Sequence, residues 1–475
     1  MHMLNTRRFT IKRSKLTTEK LFVEFYLPRY QALLEALGRS PYPLRSLGDL
    51  STRIFGGPFG SDRKVDMYQA SGIPYVRVKD VLPDGIDRAG LTYISREKHE
   101  ELGRSRVVPG NVLITIAGRL GTTAVFPEDL VEGNITGHIA GIELREGISP
   151  DYVTTVINSR FGEFQVERLG QRTTRPELNL HEVRQILLPL PPRPIQDRIV
   201  QVIQEAYIAK QGNLTQADNE ISKSEEVLEN HLGIRPPNSQ ADEAFVVKVR
   251  DLTSRMDVHY HLPEFVRKAN ALKTNRHPLI KVGDLADGIF NGATPKANGS
   301  DYTESSIEGV PFIRITDIKN YTVDMSNILY IHQQVHEGAL RRSQIKPGDV
   351  LLSMAGTIGL AAVVPEGIRK ANINQALAAI RPKEVVLPSY LEIFLNSWIG
   401  RAQTLRLSRP VVQANINLSD IRRILIPILP GELQQKIIDE VQIRRSNAQT
   451  LRFEAENIVK EAKARVERMI LGEQE

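Results

Sequence analysis

Two loops carry the residues best suited to chemistry. "QRTTR" (171–175) supplies Gln171, Arg172, Thr173, Thr174 and Arg175, and "RLSRPVVQAN" (406–415) supplies Arg406, Ser408, Arg409 and Gln413. Both lead into the same pair, Asn179–Leu180 and Asn417–Leu418, with unlike polar text ahead of it. Arginine, glutamine and hydroxyl side chains on loops suit contacts to phosphates or to the donor and acceptor groups of base edges. Taken one at a time, each arginine is more often a solvated surface charge. The chain has 475 residues, a net charge of +6 and a pI near 9.2, a mild lean towards polyanions.

Catalytic signatures are missing. "GPFGSDRK" (57–64) does not fit the phosphate-loop pattern, and "AGRLG" (117–121) and "AGTIG" (355–359) lack dinucleotide-loop spacing, so both read as structural turns. There is no H-E-x-x-H, no G-x-S-x-G and no amino-methyltransferase tetrapeptide of the D/N-P-P-Y kind. His138, in "ITGH", has Gln375 opposite it in "INQA" (373–376), so it is not a base required in both units and reads as a core or surface residue. With no cysteine in the chain, disulfides, thiol catalysis and cysteine zinc sites are excluded, and a reducing cytoplasm is the expected setting. No metal site is expected. No apolar run approaches the ~18 residues of a membrane span, and "MHMLNTRRFTIKRSKL" has no apolar signal core. The residues describe a binder.

What positions those loops is a unit written twice. "PGNVLITIAGRLGTTAVFPE" (109–128) and "PGDVLLSMAGTIGLAAVVPE" (347–366) agree at eleven of twenty positions, offset by 238. "IPYVRVKD" (73–80) answers "VPFIRITD" (310–317), "NLHEVR" (179–184) answers "NLSDIR" (417–422), and "LPLPPRPIQDRI" (188–199) answers "IPILPGELQQKI" (426–437). A period this long means duplicated domains rather than a solenoid. Within each unit a short helix and "GDL" lead to a Gly/Pro-rich loop, "GGPFGSD" (56–62) or "NGATPKANGS" (291–300). Short β-branched strands follow, then a helix through "YVTTVINS" or "YLEIFLNSW", prolines, and a long helix. The expected fold is α+β: two tandem similar α/β domains, each followed by a long helix, the two helices pairing as an antiparallel coiled coil. The expected boundaries are 1–191 and 236–429 for the globules, and 192–235 and 430–475 for the helices.

The helices show their seams. Ile437, Val441, Arg444, Ala448, Leu451, Ala455, Ile458, Ala462, Arg465 and Met469 step by four and three. In the earlier helix Ile195, Ile199, Val202, Ala206 and Ala209 do the same, slip at Gly212–Asn213, and resume with Leu214, Ala217, Ile221, Ser224 and Leu228. A ~40-residue helix, ~60 Å long, outruns a small globule, which favours pairing of the two.

"GATPK", "VPFIRITD", "KPGDVLLSMAGTIG", "NINLSDIR" and "LPLPPRPIQDRI", in this order and largely twice over, resemble the specificity (S) subunit of Type I restriction–modification systems across about residues 16 to 472. The resemblance implies two target recognition domains that each read half of a split double-stranded DNA site, with the paired helices as a ruler. It also implies docking of two modification (methyltransferase) subunits and of restriction subunits. S-adenosylmethionine and ATP would be bound by those partners, so the chain itself would need no cofactor and would be no enzyme. The first unit departs at "GGPFGSD" and "ITGH".

On this reading, loops at matched places with unlike text are the DNA-contact candidates. In the first unit they are Arg63, Lys64, Arg77, Lys79, Arg119 and residues 171–175; in the second, Thr294, Lys296, Arg314, Lys319, Thr357, Gln375, Arg406, Ser408, Arg409 and Gln413. Arg77 and Arg314 match each other, which suggests a phosphate-contact or structural role. The repeated "PG…AG" stretch itself should be scaffold. The competing reading is a coiled-coil protein-binding adaptor without sequence-specific DNA readout; it accounts for the helices but not for duplicated globules with unlike basic loops.

Overall fold

The computed structural model describes residues 23–58, 68–170, 176–238, 244–248, 252, 255–295, 299–409 and 414–473. The chain divides into two compact units, Met1–Thr215 with Arg452–Glu475, and Gln216–Leu451. Each long helix, Arg193–Leu232 and Gly431–Ile470, is shared between the units instead of forming a segment of its own.

In the first unit an antiparallel sheet orders Ser51–Gly56, Ile139–Leu144, Val112–Thr115 and Thr123–Val125. A second sheet orders Thr92–Ile94, Ile73–Val76, Gly133–Ile135 and Arg106–Val107, with 73–76 parallel to 133–135. "VLIT" is buried at all four positions rather than at alternate ones, because its sheet is covered on both faces. Ile54, Val112, Ile114 and Ile142 pack against helices, while Phe55, Leu113, Ala124 and Ile139 pack with Val76 and Ile135 of the second sheet. The "YVTTVINS" helix spans Pro150–Ile157 and is followed by a separate one, Arg160–Gly170.

The second unit repeats this plan. Ala286–Asn291, Leu377–Pro382, Val350–Ser353 and Ala361–Val363 form its antiparallel sheet. Val310–Ile313 runs parallel to Ala371–Ile373 in the neighbouring five-stranded sheet. Val350, Leu352 and Ile380 face the helices; Leu351, Ala362 and Ala379 face Ile313 and Ile373. The strand starting each antiparallel sheet, "STRIFG" or "ADGIFN", was not evident from hydropathy, since exposed Thr52, Arg53 and Asp287 interrupt the apolar pattern.

Within each unit the helix halves run antiparallel. In the first, Ile199, Val202 and Ile203 share a core with Val466, Met469 and Ile470. In the second, Leu228 and Leu232 share one with Ile437, Ile438 and Val441, and Arg444 reaches Glu220 at 3.1 Å. The sequence-based seam needs one correction. The first helix is continuous through Gly212 and Ala209 is exposed rather than on the seam; the inward side runs through Ile199, Val202 and Ala206 and, after a one-residue shift in phase, through Ala217, Ser224 and Leu228.

Candidate nucleic-acid interface

Five loops of the first unit are tied together at one end of its sheets by backbone bonds. Gly57 N donates to Ile139 O (3.3 Å), Thr136 N to Val76 O (3.1 Å), Ile116 N to His138 O (2.9 Å) and Leu178 N to Ile116 O (2.9 Å). Ala117 also bridges to Glu177. The second unit makes the same set: Gly292 N to Leu377 O (3.1 Å), Asn374 N to Ile313 O (3.0 Å), Met354 N to Ala376 O (2.8 Å) and Ile416 N to Met354 O (3.0 Å), with Ala355 bridged to Asn415. A Cβ on Gly57 would stand 2.3 Å from Ile135 O, and one on Gly292 2.0 Å from Ile373 O. Only glycine permits that approach, so "GGPFGSD" and "NGATPKANGS" leave from equivalent roots despite their different text.

The duplicated residues build the frame of each unit and leave the tip of its loop end variable. Asn111 and Asp349 each close their Pro-Gly turn with a side-chain oxygen, accepting from Val108 N (3.1 Å) and Lys346 N (3.0 Å). Asn158 and Asn396 each clamp a strand end through both amide atoms, on Thr123 and Ala361. Asn179 and Asn417 cap the short helices that follow the variable loops, each accepting from a backbone N at 2.9 Å. Buried Asn134 and Asn372 bind His99 and His336 and hold the backbone of Leu102 and Leu340. The repeated text is therefore scaffold. Between Gly118 and Gly121, and between Gly356 and Gly359, all at positive φ, the turn tips differ: Arg119 stands where the second unit has Thr357. Backbone equivalence also corrects the register of the next loop: His138 stands opposite Ala376, not Gln375, and Gly137 opposite Gln375.

The candidates separate by what they touch. Arg119, exposed, lays its guanidinium on the carbonyls of Val78 and Val81, beside exposed Lys79. Lys79 lies 3.9 Å from Asp80, a weak hold on a solvated ammonium. Thr294, Thr357 and Gln375 are exposed at the loop end of the second unit. Arg77 and Arg314 are engaged internally: each closes its own turn onto Asp80 or Asp317, at 3.1 and 2.8 Å, and donates to the carbonyl of Gly90 or Asn327. The hydrogen bond and charge of Asp317 raise the Arg314 pKa above the ordinary value, against the opposing effect of burial. Lys319 is exposed and engaged in its own hairpin. It binds Asp324 at 2.6 Å, and that ammonium, with Ser326, holds the carboxyl far below the usual range. Arg406 donates to Tyr260 O (2.9 Å) and stacks on that ring, and buried Ser408 donates to Leu405 O (2.7 Å), so both anchor the helix Trp398–Leu407. Arg409 is exposed and pairs through its backbone with Asn415 at the foot of the loop. Arg63, Lys64, residues 171–175, Lys296 and Gln413 lie outside the described residues.

One residue passed over in the sequence belongs here. Asn374, next to Gln375, has a buried Oδ1 with no hydrogen-bond partner among the described residues. Its signal was the replacement of Thr136 by Asn374 between otherwise matched strands. Among the described residues no His/Asp/Glu cluster could hold a metal, and no helix is long and apolar enough to cross a membrane.

Comparison with known proteins agrees with this arrangement. Residues 279–443 match the family model of the Type I restriction modification DNA specificity domain. The chain is 24% identical over 386 residues to the Type I restriction enzyme EcoBI specificity subunit of Escherichia coli, covering 78% of this chain and 73% of that one. A chain from a solved type I R-M system aligns over 90% of this chain and 97% of its own length, with 16% identity and a TM-score of 0.53, which shows a shared fold. The HsdS subunit from Thermoanaerobacter tengcongensis aligns over 91% and 97%, with 16% identity and a TM-score of 0.37.

Proposed function

We infer that this chain, a member of the Type I restriction–modification specificity-subunit family, reads a DNA site in two halves, one at the loop end of each unit. The observation that carries this reading is the identical set of backbone bonds under unlike tips, Arg119 against Thr357 and Gly137 against Gln375. A fixed frame with exchangeable tips suits a reader whose two halves meet different sequences. Arg119 and Lys79 are proposed to contact the first half-site, and Thr294, Thr357 and Gln375 the second. Arg77 and Arg314 act as turn locks, and Arg406 and Ser408 as helix anchors.

The chain supplies specificity, and the family pairs it with methyltransferase and restriction subunits. Two modification subunits per chain, S-adenosylmethionine and ATP bound on the partners, and work in the cytoplasm complete the proposal. Nothing in a protein-only adaptor would call for two copies of one loop frame bearing different polar tips. The test is selection from a random duplex pool by the chain assembled with a modification subunit. Enrichment of a split motif supports the reading; failure to retain DNA in the assembled complex supports the adaptor.

A further inference from the structure

The two units differ at a matched place whose lining includes none of the proposed DNA-contact residues. In the second unit, Tyr321, Ile393, Asn396, Val441, Arg445 and Leu228 leave a residual space of only about 20 Å³. Their counterparts in the first unit are Asp84, Thr155, Asn158, Ile203, Tyr207 and Val466, and there the same wall encloses a cavity of about 370 Å³.

The second unit fills its space with three of its own groups. The Arg445 guanidinium lies over the Tyr321 ring at 4.2 Å and pairs with Glu392 at 2.8 Å, so a cation is held between an aromatic face and a carboxylate. In the first unit an aromatic ring and carboxylates line the cavity from other positions, and no arginine does. Tyr207 takes the position of Arg445, Asp84 that of Tyr321, and Thr154 that of Glu392. Glu128 and Asp151 line the same cavity. Its one lysine, Lys463, is taken by Glu163 at 3.1 Å. Asp84 and the Tyr207 phenol have no hydrogen-bonding partner among the described residues. Burial first, and then the charges of Asp84 and Glu163, push the Tyr207 phenol up to about 12, so it stays neutral and its ring keeps a face for a cation.

We propose that this cavity of the first unit is a binding site for a guanidinium group, which stacks on Tyr207 and pairs with Asp84 as Arg445 stacks on Tyr321 and pairs with Glu392. Guanidinium fits better than ammonium because it is planar, weakly hydrated and able to stack and donate in the same pose. The site uses none of the DNA-reading loops, so it stands apart from the proposed reading.

The test is calorimetric titration of the full chain with methylguanidinium, with urea as the neutral analogue of similar shape. The expected result is one saturable site for methylguanidinium and none for urea. Asp84→Asn should weaken binding at least tenfold without changing DNA selection, and Tyr207→Leu should weaken it as well. Thr154→Glu with Tyr207→Arg, which supplies the internal pair of the second unit, should abolish it. If that double variant does not fold, Asp84→Asn decides, because this exposed carboxylate supports no described contact. Absence of saturable binding, equal binding of urea, or binding unaffected by Asp84→Asn would overturn the proposal. Repeating the titration on the assembled complex separates two sources of the group. A blocked site means a partner's arginine occupies it, and a site still open to titration means a free guanidinium compound does; the cavity is a guanidinium site in either case.

Discussion

Arg77 and Arg314 show why residue type alone cannot assign a DNA contact. Both are arginines next to a strand end, and both guanidiniums are bound to an aspartate three residues on. Their matching positions were the legible sign, since a residue kept in both units belongs to the common frame. Arg119 is the opposite case, an unmatched arginine on a turn pinned by two positive-φ glycines. Arg119→Ala should cost about 1–3 kcal/mol against one base pair of the first half-site if the side chain reads a base edge, and should weaken all sequences alike if it touches phosphate. Binding titrations on single-base variants of the site distinguish the two. Gly57→Ala and Gly292→Ala should each destabilise by about 1–3 kcal/mol, because the new methyl meets a carbonyl oxygen of a fixed neighbouring loop. Thermal melts of the two variants measure this. The Tyr321–Arg445–Glu392 plug was not legible in the sequence. Its members come from a hairpin, a helix and a long helix, and nothing in one-dimensional text marks that they meet.

At the scale of elements, the strands buried on both faces were evident because they are continuous apolar runs, and so were the two long helices. The edge strands Ser51–Gly56 and Ala286–Asn291 were not, because their outward residues are polar. Of the seam positions read from the first helix, Ala209 is the one the structure leaves exposed. The phase shift at Gly212–Asn213 takes place inside a continuous helix, with Ile199, Val202 and Ala206 inward before it and Ala217, Ser224 and Leu228 after it, and Ala209 is left in solvent. Ala206→Lys should therefore lower the melting temperature by burying an unpaired ammonium, whereas Ala209→Lys should leave it within a degree. A Cβ on Gly212 meets open space in a continuous helix, so Gly212→Ala should stabilise by about 0.5–1 kcal/mol. Had the helix been broken there, alanine would bring no such gain.

For the whole molecule, duplication was the most legible feature, and it carried both the fold and the division of labour. It could not show which loops converge, because that rests on backbone bonds between segments as far apart as Gly57 and Ile139. On the proposed reading the pure chain should transfer no methyl group from labelled S-adenosylmethionine to DNA, in a filter assay where its assembly with a modification subunit does. The central claim is that each unit's loop end reads its own half of one DNA site. The most direct measurement is sequencing of duplexes selected from a random pool by the assembled complex, carried out in parallel with the unaltered chain, Arg119→Ala and Gln375→Ala. The account predicts two defined blocks separated by a fixed undefined spacer, with Arg119→Ala altering or weakening only the first block's contribution and Gln375→Ala only the second's. Selection without a split motif, or a single substitution that changes both blocks together, would contradict it.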